Sequence, residues 1–203
     1  MPIRLVLFDM DDVLCDYRVE DRVAALARLS GRRPEAIREA IWESDYFEQS
    51  DTGAWTAGQS LAEFGRRIGH PFSRQDWVEA RRIAMVPFPD MLALVARLKQ
   101  AAKVAVLTNN DPLVAETLPE LFPALPALFD GNVFVSSQFG CAKPDPEVFR
   151  ACCRRMEVLP QETFFTDDRP ENVDGARRAG LAAHVFRGEP GLRAALQAAG
   201  VAA

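Results

Sequence analysis

The sequence predicts an α/β fold, a doubly wound parallel sheet carrying an inserted all-helical cap, and three observations predict it. Ile3 to Phe8 is a short apolar run, the pattern of a strand buried on both faces, and it ends abruptly in Asp9, Asp11 and Asp12. From about residue 16 to 87 the apolar spacing is helical throughout. From residue 88 onward strand-like and helix-like segments alternate, which implies parallel strands joined by right-handed crossovers with helices on both faces. The expected division is a core of residues 1–15 and 88–203 and a cap of residues 16–87.

In chain order, the first strand carries its carboxylates at the edge where open α/β sheets hold ligands. If the chain stays extended there, Asp9 and Asp11 point to the same side. Val19, Val23, Leu26 and Leu29 then mark a helix stopped by Gly31. Pro34 suits the first turn of a second helix reaching about Glu43. Asp45 to Gly53 reads as a loop or short helix with Tyr46 and Phe47. Thr56 caps a helix bearing Leu61, Phe64 and Ile68, and Ser73 caps one bearing Trp77 and Ile83.

After Pro87 and Pro89, Leu92, Val95 and Leu98 mark a core helix. Val104 to Leu107 is a buried strand ending at Thr108-Asn109. Asp111-Pro112 and Asp145-Pro146 each pair a capping residue with proline at the first helical position. Asn132 to Val135 and Thr163 to Thr166 read as strands, the second ending in Asp167-Asp168. A helix from about Pro170 closes at Gly180, before a strand at Ala182 to Phe186 and a last helix from about Pro190.

The composition narrows the partners. The 203 residues are 48% hydrophobic with a net charge of −5, which argues against nucleic acid or an anionic membrane as a partner. No segment reaches the roughly 20 uninterrupted apolar residues of a membrane span, and with the first strand beginning at once no signal peptide is expected. Cys15, Cys141, Cys152 and Cys153 lack metal-finger spacing, and reduced thiols in a cytoplasmic protein are expected.

Asp9 and Asp11, Thr108 and Asn109, Lys143, and Asp167 with Asp168 all fall at or just after strand ends, so the topology brings them to one rim. Taken singly, Thr-Asn is a helix cap, Lys143-Pro144 a solvated turn, and Asp-Asp another cap. Together, Asp9, Asp11, Asp12, Asp167 and Asp168 face one lysine. A hard divalent cation with oxygen ligands offsets that charge, and Mg²⁺ suits a set without histidine or cysteine. A metal, a lysine and a hydroxyl around carboxylates form a receptor for a phosphoryl group, and a carboxylate can itself be the nucleophile.

Asp9-Met10-Asp11-Asp12-Val13, Leu107-Thr108-Asn109, Lys143-Pro144-Asp145 and Phe165-Thr166-Asp167-Asp168 with Pro170-Glu171-Asn172 occur in that order over essentially the whole chain. In this the sequence resembles the haloacid dehalogenase superfamily of hydrolases, with its Rossmann-like core, in the subfamily whose small helical cap follows the first motif. The resemblance implies that Asp9 attacks phosphorus to give an aspartyl-phosphate. Asp11 would protonate the leaving alcohol and then activate water. Thr108 and the Asn109 amide would hold phosphate oxygens, and Lys143 would pair with both phosphate and nucleophile. Mg²⁺ would be bound by Asp9, the Asp11 carbonyl and Asp168, with Asp167 acting through water. The expected substrate is a small soluble phosphate monoester, sugar-phosphate or phosphoglycolate-like.

One position departs from the pattern: Asp12 stands where glycine is usual, and aspartate tolerates unusual turn angles. Other readings weigh less. A dehalogenase needs neither Mg²⁺ nor an acid at Asp11. A phosphomutase wants a basic cap, whereas this cap has no lysine and one histidine, His70. A phospho-acceptor signalling module is shorter and lacks a lid. The pairs Arg32-Arg33, Arg66-Arg67 and Arg81-Arg82 are expected on solvated faces. Cys15, Asp16, Tyr17 and the Tyr46–Trp55 loop are the expected substrate contacts.

Overall fold

The structure, a computed structural model, describes residues 1–202. Strand β1 (Leu5–Phe8) is followed by the short β2 (Cys15–Tyr17) and five helices: α1 (Val19–Ser30), α2 (Pro34–Ile41), α3 (Tyr46–Ser50), α4 (Ala57–Ile68) and α5 (Arg74–Ala84). Then come β3 (Met85–Pro87), α6 (Pro89–Leu98), β4 (Lys103–Thr108), α7 (Pro112–Leu121), α8 (Ala124–Leu128) and β5 (Val133–Val135). A 3₁₀ turn (Ser136–Phe139) leads to α9 (Pro146–Met156), β6 (Thr163–Asp167), α10 (Pro170–Ala179), β7 (Ala182–Val185) and α11 (Glu189–Ala198).

Five parallel strands form the main sheet in the order β5-β4-β1-β6-β7, so β1 is central and β4 and β6 flank it. Side chains alternate across this sheet with period two. Val6, Phe8, Val104, Val106 and Phe164 pack with Leu94, Leu98 and Leu118 on one face. Leu5, Leu7, Ala105, Leu107 and Phe165 pack with Val148, Phe149, Cys152 and Ala176 on the other. Both faces are covered, which explains why the strands read as continuous apolar runs rather than alternating ones.

β2 and β3 pair antiparallel, Cys15 opposite Pro87 and Tyr17 opposite Met85, forming the stem from which α1–α5 project. The first apolar cluster continues through Met10, Leu14 and Met85 into Val23, Leu26, Ile37, Phe64 and Trp77, so the helical insert shares a core with the sheet. Thr56 and Ser73 form capping boxes with Gln59 and Asp76.

Several expectations are corrected. The chain is not extended through Asp11: β1 ends at Phe8, and residues 9–14 turn back so that Leu14 N donates to Met10 O at 2.8 Å. Ile83 and Leu29 are exposed, because the buried stripes run through Trp77, Ala80 and Ala84 on α5 and through Val23 and Leu26 on α1. Arg81 is not on a solvated face but 3% exposed, whereas Arg82 is exposed. Among the described residues no helix is long and apolar enough to cross a membrane.

Candidate active site

The carboxyl ends of β1, β4 and β6 open into a cavity of about 240 Å³ lined by Asp9, Asp11, Asp12, Thr108, Asn109, Asn110, Lys143, Asp168 and Asn172, together with Tyr17, Asp51 and Arg81 on the insert side. A larger groove, about 560 Å³, lies on α4 and its C-terminal turn among Leu61, His70 and Phe72, and it touches none of the strand-end residues. His70 there packs against the Phe72 ring at 4.8 Å.

Asp9 follows β1 directly, and its amide donates to Thr166 O at 2.9 Å, so its position is fixed by the sheet ladder. Its side chain is nearly buried, and Lys143 Nζ lies 2.8 Å from Oδ1. Lys143 Nζ also donates to Asp167 Oδ2 at 2.6 Å, so one buried ammonium bridges the ends of β1 and β6. Burial works against its charge, but Asp9 and Asp167 hold its pKa above the usual lysine value. Lys143 does not stand at a strand end; it lies beyond the 3₁₀ turn, and two clamps hold it there. Asn109 Nδ2 donates to Lys143 O at 2.8 Å and Lys143 N donates to Asn109 Oδ1 at 2.9 Å. Beneath it, Gly175 on α10 faces Pro144, whose carbonyl oxygen would be 2.2 Å from any Cβ at that position.

Asp167 is fully buried and also accepts from Asn172 Nδ2 at 3.0 Å and from Arg169 N at 2.9 Å. Burial opposes its charge, yet Lys143 and these donors hold its pKa below the ordinary range. Asp9 behaves oppositely: burial, with Asp167 and Asp11 adding to it against Lys143, raises its pKa well above normal. Asp168 is half-buried and pushed up to about 6, first by burial and then by Asp167 and Asp12. Oxygens of Asp9, Asp167 and Asp168 lie within 4.8 Å of one another. One ammonium against these three carboxylates leaves a negative excess, and an all-oxygen donor set fits a hard divalent cation.

Thr108 Oγ1 accepts from Asn110 Nδ2 at 2.8 Å, which leaves its own proton to donate into the cavity. Asp12 has φ +60°, the left-handed conformation for which glycine is usual, and its carboxylate accepts from Tyr17 N at 3.0 Å. Asp11 Oδ2 accepts from Arg81 Nη2 at 3.0 Å, and the same nitrogen donates to Asn110 Oδ1 at 3.0 Å. The guanidinium lies over the Tyr17 ring, 5.0 Å from its centroid. Arg81 therefore ties the insert to Asp11 and to the end of β4 at once.

Arg81, Asn110, Asp51 and Arg169 are the cavity residues that the sequence reading did not single out one by one. A signal for Arg81 existed: it stands four residues after Trp77 and three before Ala84, on the buried stripe of α5. Asp51 falls inside the Tyr46–Trp55 segment. Trp55 and Tyr46 stack in the insert core rather than on the cavity, while Phe47 does line it. Trp77 packs with Arg22 within the insert.

The sequence model of the haloacid dehalogenase-like hydrolases matches residues 3–180. The chain is similar to a phosphatase of Mycobacterium tuberculosis, 31% identical over 193 residues, covering 91% of this chain and 88% of that protein. It is also similar to the D-ribitol-5-phosphate phosphatase of Bacteroides thetaiotaomicron, 25% identical over 188 residues, with 88% and 89% covered. Among solved structures it resembles a HAD family enzyme of Bacteroides thetaiotaomicron in complex with magnesium and inorganic phosphate. That likeness has a TM-score of 0.77 at 24% identity, with 92% of this chain and 96% of that chain covered.

Proposed function

The chain belongs to the haloacid dehalogenase-like hydrolases, and on that premise we propose that it is a magnesium-dependent phosphatase of small phosphate monoesters. One observation carries the reading: oxygens of Asp9, Asp167 and Asp168 converge within 4.8 Å while Lys143 bridges Asp9 and Asp167. Convergent carboxylates repel one another unless a cation holds them, and a dehalogenase would have no use for three. Asp9, Asp168 and the carbonyl of Asp11 are the groups to hold Mg²⁺, with Asp167 acting through water; the ion would supply charge neutralisation for phosphate oxygens.

In the first step a carboxylate oxygen of Asp9 attacks phosphorus, and the ester P–O bond breaks as the acyl-phosphate bond forms. Asp11 gives its proton to the departing alcohol oxygen. In the second step Asp11, now ionised, takes a proton from water, whose oxygen attacks phosphorus. The acyl-phosphate bond breaks, Asp9 regains its carboxylate and inorganic phosphate leaves. Lys143 holds Asp9 oriented and offers positive charge to the phosphoryl oxygens, and Thr108 Oγ1 donates to one of them. Arg81 keeps the Asp11 carboxylate aimed into the cavity.

The cavity volume supports a small substrate: about 240 Å³ is below the roughly 300–1,000 Å³ of pockets for larger ligands. The kinship with phosphatases of Mycobacterium tuberculosis and Bacteroides thetaiotaomicron supports phosphate chemistry. The test is phosphate release from a panel of phosphorylated metabolites with and without Mg²⁺, using Asp9→Asn as control. Turnover that needs both Mg²⁺ and Asp9 is expected. Release of halide from haloacetates without phosphate release from any ester would overturn the reading.

A further inference from the structure

We infer that the leaving-group end of this cavity is built for an uncharged, hydroxyl-bearing alcohol, and that Asp51 of the helical insert is the residue that selects it. The inference rests on the phosphatase reading and names the class of substrate for the same site. Asp51 lines the cavity that holds Asp9, Thr108 and Lys143, and also the adjoining cleft that runs past Gly140 and Cys141. It therefore stands where the part of a substrate beyond the phosphoryl group must lie.

Its placement is fixed from the core side. Ser136 Oγ, at the end of β5, donates to Asp51 O at 2.7 Å. Two residues on, Gly53 lies so close to Ser137 that a Cβ would meet its carbonyl oxygen at 2.7 Å. The segment is seated on the rim of the sheet, and the carboxylate it carries faces the cavity. Asp51 Oδ1 accepts only from Ser50 Oγ, at 3.2 Å, and among the described residues nothing donates to Oδ2. That oxygen opens to the cavity with no protein donor on it, so a ligand there can supply one.

The cations around it are already engaged. Arg81 is taken by Asp11 and Asn110, Lys143 by Asp9 and Asp167, and Arg169 by Glu171 at 2.6 Å. A second anion on the substrate, such as the carboxylate of phosphoglycolate, would find no free cation and would meet Asp51. An ammonium group would gain little, because Arg81 and Lys143 are both close enough to act on Asp51 and already offset its charge. A hydroxyl donates to Oδ2 and carries no charge into either field. Burial and then Asp111 push the Asp51 pKa up to about 7, so above that pH it is ionised, accepts from a hydroxyl and opposes a second anion.

The experiment compares kcat/KM of the full chain with Mg²⁺ on glycerol 3-phosphate, phosphoethanolamine and phosphoglycolate, with p-nitrophenyl phosphate as an ester lacking all three groups. Glycerol 3-phosphate is expected to exceed the other two small esters by about tenfold or more, the scale of a hydrogen bond to a charged group. In Asp51→Asn the ratio of glycerol 3-phosphate to phosphoglycolate is expected to fall about tenfold, mainly through KM, as the repulsion of the anion disappears. Equal or better turnover of phosphoglycolate or phosphoethanolamine by the wild type overturns the inference, as does an unchanged ratio in the variant. The wild-type ranking decides even if the variant does not fold. Turnover of p-nitrophenyl phosphate alongside a contrary ranking sinks only the assignment to Asp51, whereas no phosphate release from any of the four esters sinks the phosphatase reading with it.

Discussion

Replacing Arg81 by methionine keeps the length of the side chain in the buried stripe of α5 but removes its charge. The wild-type guanidinium makes two 3.0 Å hydrogen bonds, to Asp11 and Asn110, and stacks on Tyr17. Removing one partner of a buried ion pair costs about 3–5 kcal/mol. Two features place this site at or below the lower end. The Asp11 side chain is 24% exposed, so water can replace the lost donor. Among the described residues Arg81 Nε has no acceptor, which trims what the arginine contributes. A loss of about 2–3 kcal/mol follows, or a fall of roughly 4–12 °C in Tm for a chain of this size. The effect on activity is separable. If Arg81 aims Asp11, its loss should lower kcat about 100-fold on an alkyl phosphate, whose leaving alcohol needs a proton. The loss should be much smaller on p-nitrophenyl phosphate, whose nitrophenolate departs without one. Thermal melts and steady-state kinetics on both esters check this. An equal loss on the two esters, or kcat within about twofold of wild type on the alkyl ester, would refute a role through Asp11 and leave Arg81 as packing alone.

Two further outcomes follow from the geometry. The folded-state pKa of Asp168, up to about 6, is above its unfolded value, so between about pH 4 and 6 the folded protein binds more protons and this group's contribution to stability declines as pH rises. A cation favours the ionised form, so the rise in Tm with Mg²⁺ should be larger at pH 8 than at pH 5; no rise at either pH contradicts the proposed metal site. Gly175→Ala should destabilise by about 1–3 kcal/mol despite the better helix propensity of alanine, because its Cβ would press on Pro144 O, and kcat should fall with it as Lys143 shifts. A melt at or above wild type would refute that close approach.

What the sequence made legible and what it hid have physical reasons. Parallel strands buried on both faces produce uninterrupted apolar runs, so Leu5–Phe8, Val104–Leu107 and Phe164–Phe165 stand out, and the polar residues at their ends mark the rim. Three-residue strands have no period to detect, so Cys15–Tyr17 and Met85–Pro87 read only as the edges of the insert. Arg81 and Arg82 look alike in the sequence, but each residue turns a helix by about 100°, so one points inward and the other outward. Phasing α5 on Trp77 and Ala84 rather than on Ile83 would have found the buried one. The roles of Asn109, which holds the Lys143 backbone, and of Asn110, which orients Thr108, depend on a loop meeting a strand end across 34 residues in one case and on a two-residue turn in the other. No local pattern encodes the first contact, and the second depends on how the chain bends after β4.

The central claim is that Asp9 carries the phosphoryl group between the two steps. Acid quenching during turnover, borohydride reduction and peptide mass spectrometry test it directly, since reduction of an aspartyl-phosphate leaves homoserine in its place. Homoserine at position 9, dependent on Mg²⁺ and substrate and absent in Asp9→Asn, is the predicted result. Sustained phosphate release by Asp9→Asn, or a mark at any other carboxylate, would contradict it.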